Sequence, residues 1–168
     1  MGRAFSLAAA AVVALSAGAA AQRARPAQRN VAKLLFDSGV IAVDARADSH
    51  IVIGAAVGDS TLVVPIPVSR AREWVDSASA ILARRVRRSK HPRHYRSLMV
   101  DPDSGAGVSL TRHVVYGRST YRLFFANTSF GGFPMGLSRR EADLLVRAVR
   151  RAVTASRAMA RAPADSGR

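Results

Sequence analysis

The fold is decided by residues 51–69, which run IVIGAAVGDSTLVVPIPVS. On both sides of Gly58-Asp59-Ser60 apolar side chains alternate with other residues, a period of two that is typical of paired strands. A glycine and an aspartate between the two runs favour a tight turn. Pro65 and Pro67 lack backbone N–H groups on one side of the second strand, which marks it as an edge strand.

The hydrophobic period changes from two to 3.6 after Ser69, a residue type that caps helix N-termini. We therefore expect an amphipathic helix from Ser69 to about Arg88, ended by His91-Pro92. Its apolar stripe comprises Trp74, Val75, Ala78, Ile81, Leu82 and Val86.

The residues before this hairpin predict only short elements. Asn30 is a candidate cap for a short helix over residues 31–35, ended by the Asp37-Ser38-Gly39 turn. Residues 40–43 predict a short strand.

A second group of strands follows the helix. We predict a short strand over residues 96–101, a hairpin of residues 108–116 and 120–127, and a flexible connector over 129–136. Ser138-Arg-Arg-Glu141 is a capping box, which predicts the start of a last amphipathic helix.

These elements predict a single α+β domain over residues 31–159: an antiparallel sheet of about five strands with two amphipathic helices on one face. Residues 61–82 resemble residues 130–153, which suggests a ββα pseudo-repeat, although any strand-to-helix junction selects similar residues. The predicted core comprises Ile51, Ile53, Leu62, Val64, Trp74, Ile81, Leu82, Leu98, Leu110, Leu123, Phe125, Leu144, Leu145 and Val149.

The N-terminus has the three-part layout of a secretory signal peptide over residues 1–21, with a positive start, an apolar core and a small-residue end. Residues 22–30 are predicted to form a flexible leader, and residues 160–168 a disordered tail. The chain contains no cysteine, which excludes disulfides and thiol chemistry and fits a bacterial periplasm or cell exterior.

The net charge of +15 favours anionic partners, although the excess of arginine over lysine is typical of a GC-rich coding sequence, so part of the charge reflects genomic composition. Its densest concentration is the basic segment, residues 84–96, which contains no acidic residue. The predicted anion-binding residues are Arg84, Arg85, Arg87, Arg88, Lys90, Arg93 and Arg96. Three interpretations are open: a solvated helix end, a patch for anionic lipid, lipopolysaccharide or acidic polymer, or a nucleic-acid site, which export disfavours.

Catalytic and metal signatures are weak. Gly58-Asp59-Ser60 resembles the nucleophile block of GDSL-type hydrolases, but the later blocks of that family are missing. His91 and His94 lie three apart beside a proline and several arginines, which disfavours a metal site. Asp101 and Asp103 lack the other ligands of a calcium loop. We therefore predict no catalytic residue, no metal and no cofactor.

The leading functional hypothesis is an exported, non-enzymatic binding protein that engages anionic surfaces or polymers through residues 84–96. One alternative is a small hydrolase with an unrecognised site around His113, Asp101 or Ser60. Another is a structural or partner-binding subunit, whose exposed patch would be formed by Phe130, Phe133 and Met135.

Overall fold

The computed structural model describes residues 27–85, 91–127 and 131–161, which form two units of the same topology, four strands followed by a helix. In each unit the strands form an antiparallel sheet in chain order. The first unit comprises β1 (Gln28–Phe36), β2 (Gly39–Arg46), β3 (His50–Val57), β4 (Ser60–Pro67) and α1 (Val68–Ala83). The second comprises β5 (Arg93–Val100), β6 (Gly107–Val115), β7 (Arg118–Asn127), β8 (Gly131–Leu137) and α2 (Arg139–Arg161).

The α+β class is confirmed, but the predicted single sheet of about five strands is corrected to two sheets of four. One reason is β1, which replaces the helix predicted over residues 31–35 and begins within the predicted leader. Val31, Leu34 and Leu35 have helical spacing, while a β-bulge between Asn30 and Ala32 interrupts the alternation that marks a strand. Pairing with β2 therefore decides the structure of a segment whose own pattern is ambiguous.

The other missed strand is β8, which occupies the predicted connector and pairs with β7 along its whole length. Glycine and proline make this segment resemble a loop, yet proline is tolerated in an edge strand and glycine where another backbone approaches closely. Gly132 is required here because a Cβ at that position would collide with the carbonyl of Phe125.

The central hairpin is confirmed. β3 and β4 pair from His50 with Pro67 to Val57 with Ser60, so Gly58 and Asp59 form the two-residue turn. Gly58 has a φ of 56°, the left-handed region that favours glycine. β4 lies at the end of its sheet, as its two prolines predict.

The two helix starts differ. Ser69 is not a cap: Pro67 occupies the N-cap position of α1 and no side chain caps this end. The predicted capping box of α2 is present, since the Glu141 N–H donates to Ser138 Oγ at 3.2 Å and the Ser138 N–H donates to Glu141 Oε2 at 2.6 Å.

α1 also ends earlier than predicted, at Ala83 instead of near Arg88, and Arg84 adopts extended backbone. Arg84, Arg85, Arg93 and Arg96 therefore lie outside this helix.

Each helix packs partly against the sheet of the other unit. α2 lies on β1, β2 and β3 of the first sheet, and α1 contacts β5 of the second sheet as well as α2. The Ser156 hydroxyl of α2 donates to the carbonyl of Arg46 in β2 at 2.6 Å. The two units consequently share one hydrophobic core.

The predicted core is largely confirmed, and its clearest error is Leu98, which is 52% exposed. The alternation of β5 points Ser97 and Met99 inward and Leu98 outward. Leu62 and Leu144 are half-buried. Large core residues absent from the prediction include Ile41, Val43, Ile66, Met99 and Met135.

In the residues that the structure describes, neither helix is sufficiently long and apolar to cross a bilayer. The predicted signal peptide, residues 1–21, lies outside the described residues. So does the predicted tail beyond Arg161.

Candidate anion-binding face

The described residues of the basic segment do not form one continuous surface. Arg87, Arg88 and Lys90 lie outside the described residues. Among the others, the Arg84 guanidinium lies over the ring of Tyr95, 4.8 Å from its centroid. Arg93 and Arg96 are exposed on β5, three positions apart, so they project to opposite faces of the strand.

The negative end of the α1 dipole is met by arginines from the second unit. Arg112 Nη1 donates to the carbonyls of Ile81 and Arg84 at 2.6 and 2.9 Å. Arg139 Nη2 donates to the carbonyl of Leu82 at 3.3 Å. Cations do stabilise this helix end, as one interpretation of the basic segment expects, but these two lie outside that segment.

The outward side of the second sheet gathers basic side chains from three strands. Side chains alternate between the two sides of a strand. Ser97, Leu110 and Leu123 point into the core, so the residues next to them in sequence point outward. We call this outward side the cationic face, and it is formed by His94, Arg96, Leu98, Ser109, Thr111, His113, Val115, Arg118, Thr120, Arg122, Phe124, Pro134 and Gly136.

Arg96 and Arg122 lie in one row across this face. Each pairs with Thr111 of β6, Arg96 from β5 and Arg122 from β7. Two strand spacings separate their Cα atoms by roughly 10 Å. Both are exposed, and the described part of the face contains no carboxylate to neutralise them. An anion placed between them would relieve their mutual repulsion.

The next row contains two histidines in direct contact. His94 Nδ1 lies 2.6 Å from His113 Nδ1, with the rings edge to face. The Nδ1–H of one ring donates to the Nδ1 lone pair of the other ring, so one proton lies between the two nitrogen atoms. Burial lowers the pKa of His113 from its ordinary value, and the nearby charges of His94 and Arg122 lower it further.

Large apolar side chains flank the arginine row. Leu98 and Phe124 are 52% and 40% exposed, and both pair with Ser109 of β6, which is buried between them. Tyr116 lies at the other end of the face, at the tip of the β6–β7 turn, and is 74% exposed. The face therefore combines cations with exposed apolar surface.

The charge of the protein is concentrated in the second unit. Residues 27–85 contain 7 basic and 6 acidic residues, whereas residues 91–161 contain 12 basic and 4 acidic residues. Three of the four acidic groups of the second unit have partners of their own. Asp101 binds Ser104, Glu141 belongs to the α2 cap, and Asp143 pairs with Arg147 at 2.7 Å.

The residues of the hydrolase hypothesis are not brought together. His113 contacts His94 on the cationic face, whereas Asp101 follows the other end of β5 and accepts a hydrogen bond from Ser104 at 2.5 Å. This bond is the main reason that the pKa of Asp101 is lowered. Ser60 starts β4 of the first sheet. These three groups form no proton relay, which would need direct hydrogen bonds between them.

The exposed patch of the subunit hypothesis is also not formed as predicted. Met135 is fully buried and Phe133 is half-buried, its ring 5.5 Å from that of Phe125. Phe130 lies outside the described residues.

Among the described residues, no three histidine, aspartate or glutamate side chains are grouped so as to hold a metal ion. His94 is one of the two histidines whose spacing raised the question of a metal site, and in the structure its ring contacts His113.

Comparisons with models of known families, with curated proteins and with solved structures find no match to this chain. The geometry and charge of the chain itself therefore carry the functional argument.

Sequence reasoning missed Arg118 and Arg122 because the two, four positions apart in β7, belong to no run of basic residues. The sequence did contain a signal for Arg122: in the predicted strand 120–127 it lies on the same side as Phe124, opposite Leu123 and Phe125. Their proximity to Arg96 depends on pairing between strands far apart in sequence.

Proposed function

We propose that this protein is an exported, non-enzymatic binding protein that engages anionic surfaces or polymers through its cationic face and the adjoining basic segment. The observation that carries the proposal is the pair Arg96 and Arg122, exposed on either side of Thr111 on a face whose described residues include no carboxylate. A face selected only for solubility would mix charges of both signs.

The energetics favour a polyvalent partner. A single exposed cation contributes little, about 1 kcal/mol near an anionic surface. Arg96, Arg118 and Arg122 act together on one rigid sheet, so their contributions combine without a large ordering cost. The positive charges of the remaining basic residues of the segment would add to this attraction; these are Arg87, Arg88 and Lys90, which lie outside the described residues.

The proposed location follows from the signal-peptide pattern of residues 1–21. In the periplasm or at the cell exterior, anionic lipid, lipopolysaccharide and acidic polymers are the accessible polyanions. Nucleic acid is disfavoured in that compartment.

The test is binding of the mature protein to polyphosphate and to anionic vesicles across a salt titration, from about 50 mM to about 500 mM NaCl. We expect affinity to fall steeply with salt. Replacing both arginines, Arg96→Gln with Arg122→Gln, should weaken binding about 30-fold, since each contributes about 1 kcal/mol.

The matched control is Arg151→Gln with Arg157→Gln, which removes the same charge from exposed positions of α2. The proposal predicts a clearly smaller loss for this control. Affinity independent of salt, or equal losses in the two double variants, would contradict it.

A further inference from the structure

We infer that the anionic partner is a phospholipid bilayer, on which the protein lies with the cationic face toward the lipid. Leu98 and Phe124 enter the boundary of the acyl chains while Arg96 and Arg122 meet the phosphates. This inference rests on the proposed function and names the partner within it.

The first argument is the exposed apolar surface beside the arginines. Leu98 and Phe124 leave about half of their side-chain surface in water, in the row next to Arg96 and Arg122. A soluble polyanion offers nothing to cover these side chains. A bilayer offers phosphates and hydrocarbon within a few ångströms of each other, which matches adjacent cationic and apolar rows.

The second argument is Tyr116 at the tip of the β6–β7 turn. This residue has a φ of 49° and is followed by Gly117 at 80°, a turn in which asparagine and glycine are favoured. A bulky aromatic residue in this conformation is strained, and at 74% exposure it gains no packing in return. Tyrosine is the residue type that anchors proteins at the headgroup level of membranes.

The third argument is the sign of the charge on the cationic face itself. Arg96, Arg118 and Arg122 point outward there, and the described part of the face contains no carboxylate. This local charge would attract the face to an anionic surface before any contact forms.

A nucleic acid fits the face less well. Sheets that bind single strands present several aromatic rings for successive bases, and here Phe124 is the one phenylalanine, tyrosine or tryptophan pointing outward from β5–β8.

The experiment compares binding to phosphatidylglycerol vesicles with binding to polyphosphate, both at about 100 mM NaCl. The variant Leu98→Ser with Phe124→Ser should weaken vesicle binding at least about tenfold and leave polyphosphate binding unchanged. The matched control, Leu35→Ser with Val63→Ser, alters exposed apolar side chains on the outer side of the first sheet and should leave both unchanged.

The variant Phe124→Trp gives a second readout that does not depend on affinity. Trp74 is buried, so a shift of the emission to shorter wavelength on adding vesicles would come from the new residue. We expect this shift with phosphatidylglycerol vesicles and none with polyphosphate.

The outcomes separate the two proposals. Salt-dependent binding to both partners, unaffected by Leu98→Ser with Phe124→Ser and without a shift, would overturn the bilayer inference and leave the proposed function standing. Binding to neither partner would overturn both. Preference for single-stranded nucleic acid over vesicles would also overturn the bilayer inference.

Discussion

Arg112, in the central strand β6 of the second unit, donates to the carbonyl of Ile81 in the last turn of α1 at 2.6 Å. The side chain is only 3% exposed, and its charge has no carboxylate partner among the described residues. The negative end of the α1 dipole and the Ser119 hydroxyl, 3.1 Å from Arg112 Nε, compensate it instead. The bond thus joins the two units through a polar contact at the edge of their shared core.

Replacing Arg112 by leucine should therefore destabilise the whole protein. The carbonyls of Ile81 and Arg84 would lose their charged donor, at a cost of about 3 kcal/mol. Urea unfolding should show a lower midpoint with an unchanged slope. The exposed Arg118→Leu should change stability by less than about 0.5 kcal/mol, and an equal loss in both variants would contradict this role.

Ser138→Ala should remove the cap of α2. The change eliminates the acceptor of the Glu141 N–H and should cost about 1 kcal/mol. Ser69→Ala is the control, because Ser69 begins a helix in the sequence pattern but caps nothing in the structure. Thermal unfolding of the two variants should distinguish them, and a larger effect at Ser69 would contradict the observed helix start.

Elements set by a short local pattern could be predicted from the sequence, and elements set by pairing with another strand could not. The β3–β4 hairpin and the capping box are local patterns, complete within a few residues, and both were predicted. β1 and β8 were missed because partner strands stabilise them against ambiguous or glycine-rich local patterns.

The candidate face was predicted only in part for a similar reason. Arg93 and Arg96 belong to one basic run in sequence, yet β5 projects them to opposite sides. Arg122 is distant in sequence from Arg96 and shares its face. A linear count of charge identifies a basic segment, but only strand register shows which cations face the same partner.

The burial of His113 should make stability depend on pH. The pKa of His113 is lowered in the folded protein, mainly by burial, so the unfolded chain binds more protons near pH 6. Stability is then fully present above the unfolded pKa of about 6.5 and falls as pH decreases through the lowered folded value. The melting temperature should decrease between about pH 7.5 and about pH 5.5, and His113→Gln should reduce that dependence. An unchanged dependence in His113→Gln would assign it to other groups.

Tyr116→Asn should stabilise the fold and weaken binding to anionic vesicles. Asparagine suits a left-handed position followed by glycine, so the variant should gain about 0.5 to 1 kcal/mol in unfolding free energy. The same change should weaken binding to anionic vesicles, because the exposed ring is lost. Calorimetry and vesicle sedimentation measure the two effects. A variant that is more stable and binds as well as the parent would show that Tyr116 does not contact the membrane.

The most direct test of the account is a residue-level map of the bound surface, obtained by titrating the isotope-labelled mature protein with a short polyphosphate and following its amide resonances. The account predicts that the changes cluster on Arg96, Thr111, His113 and Arg122 and fade as salt is raised. Changes centred on the exposed arginines of α2, or no changes at low salt, would contradict a binding role for the cationic face.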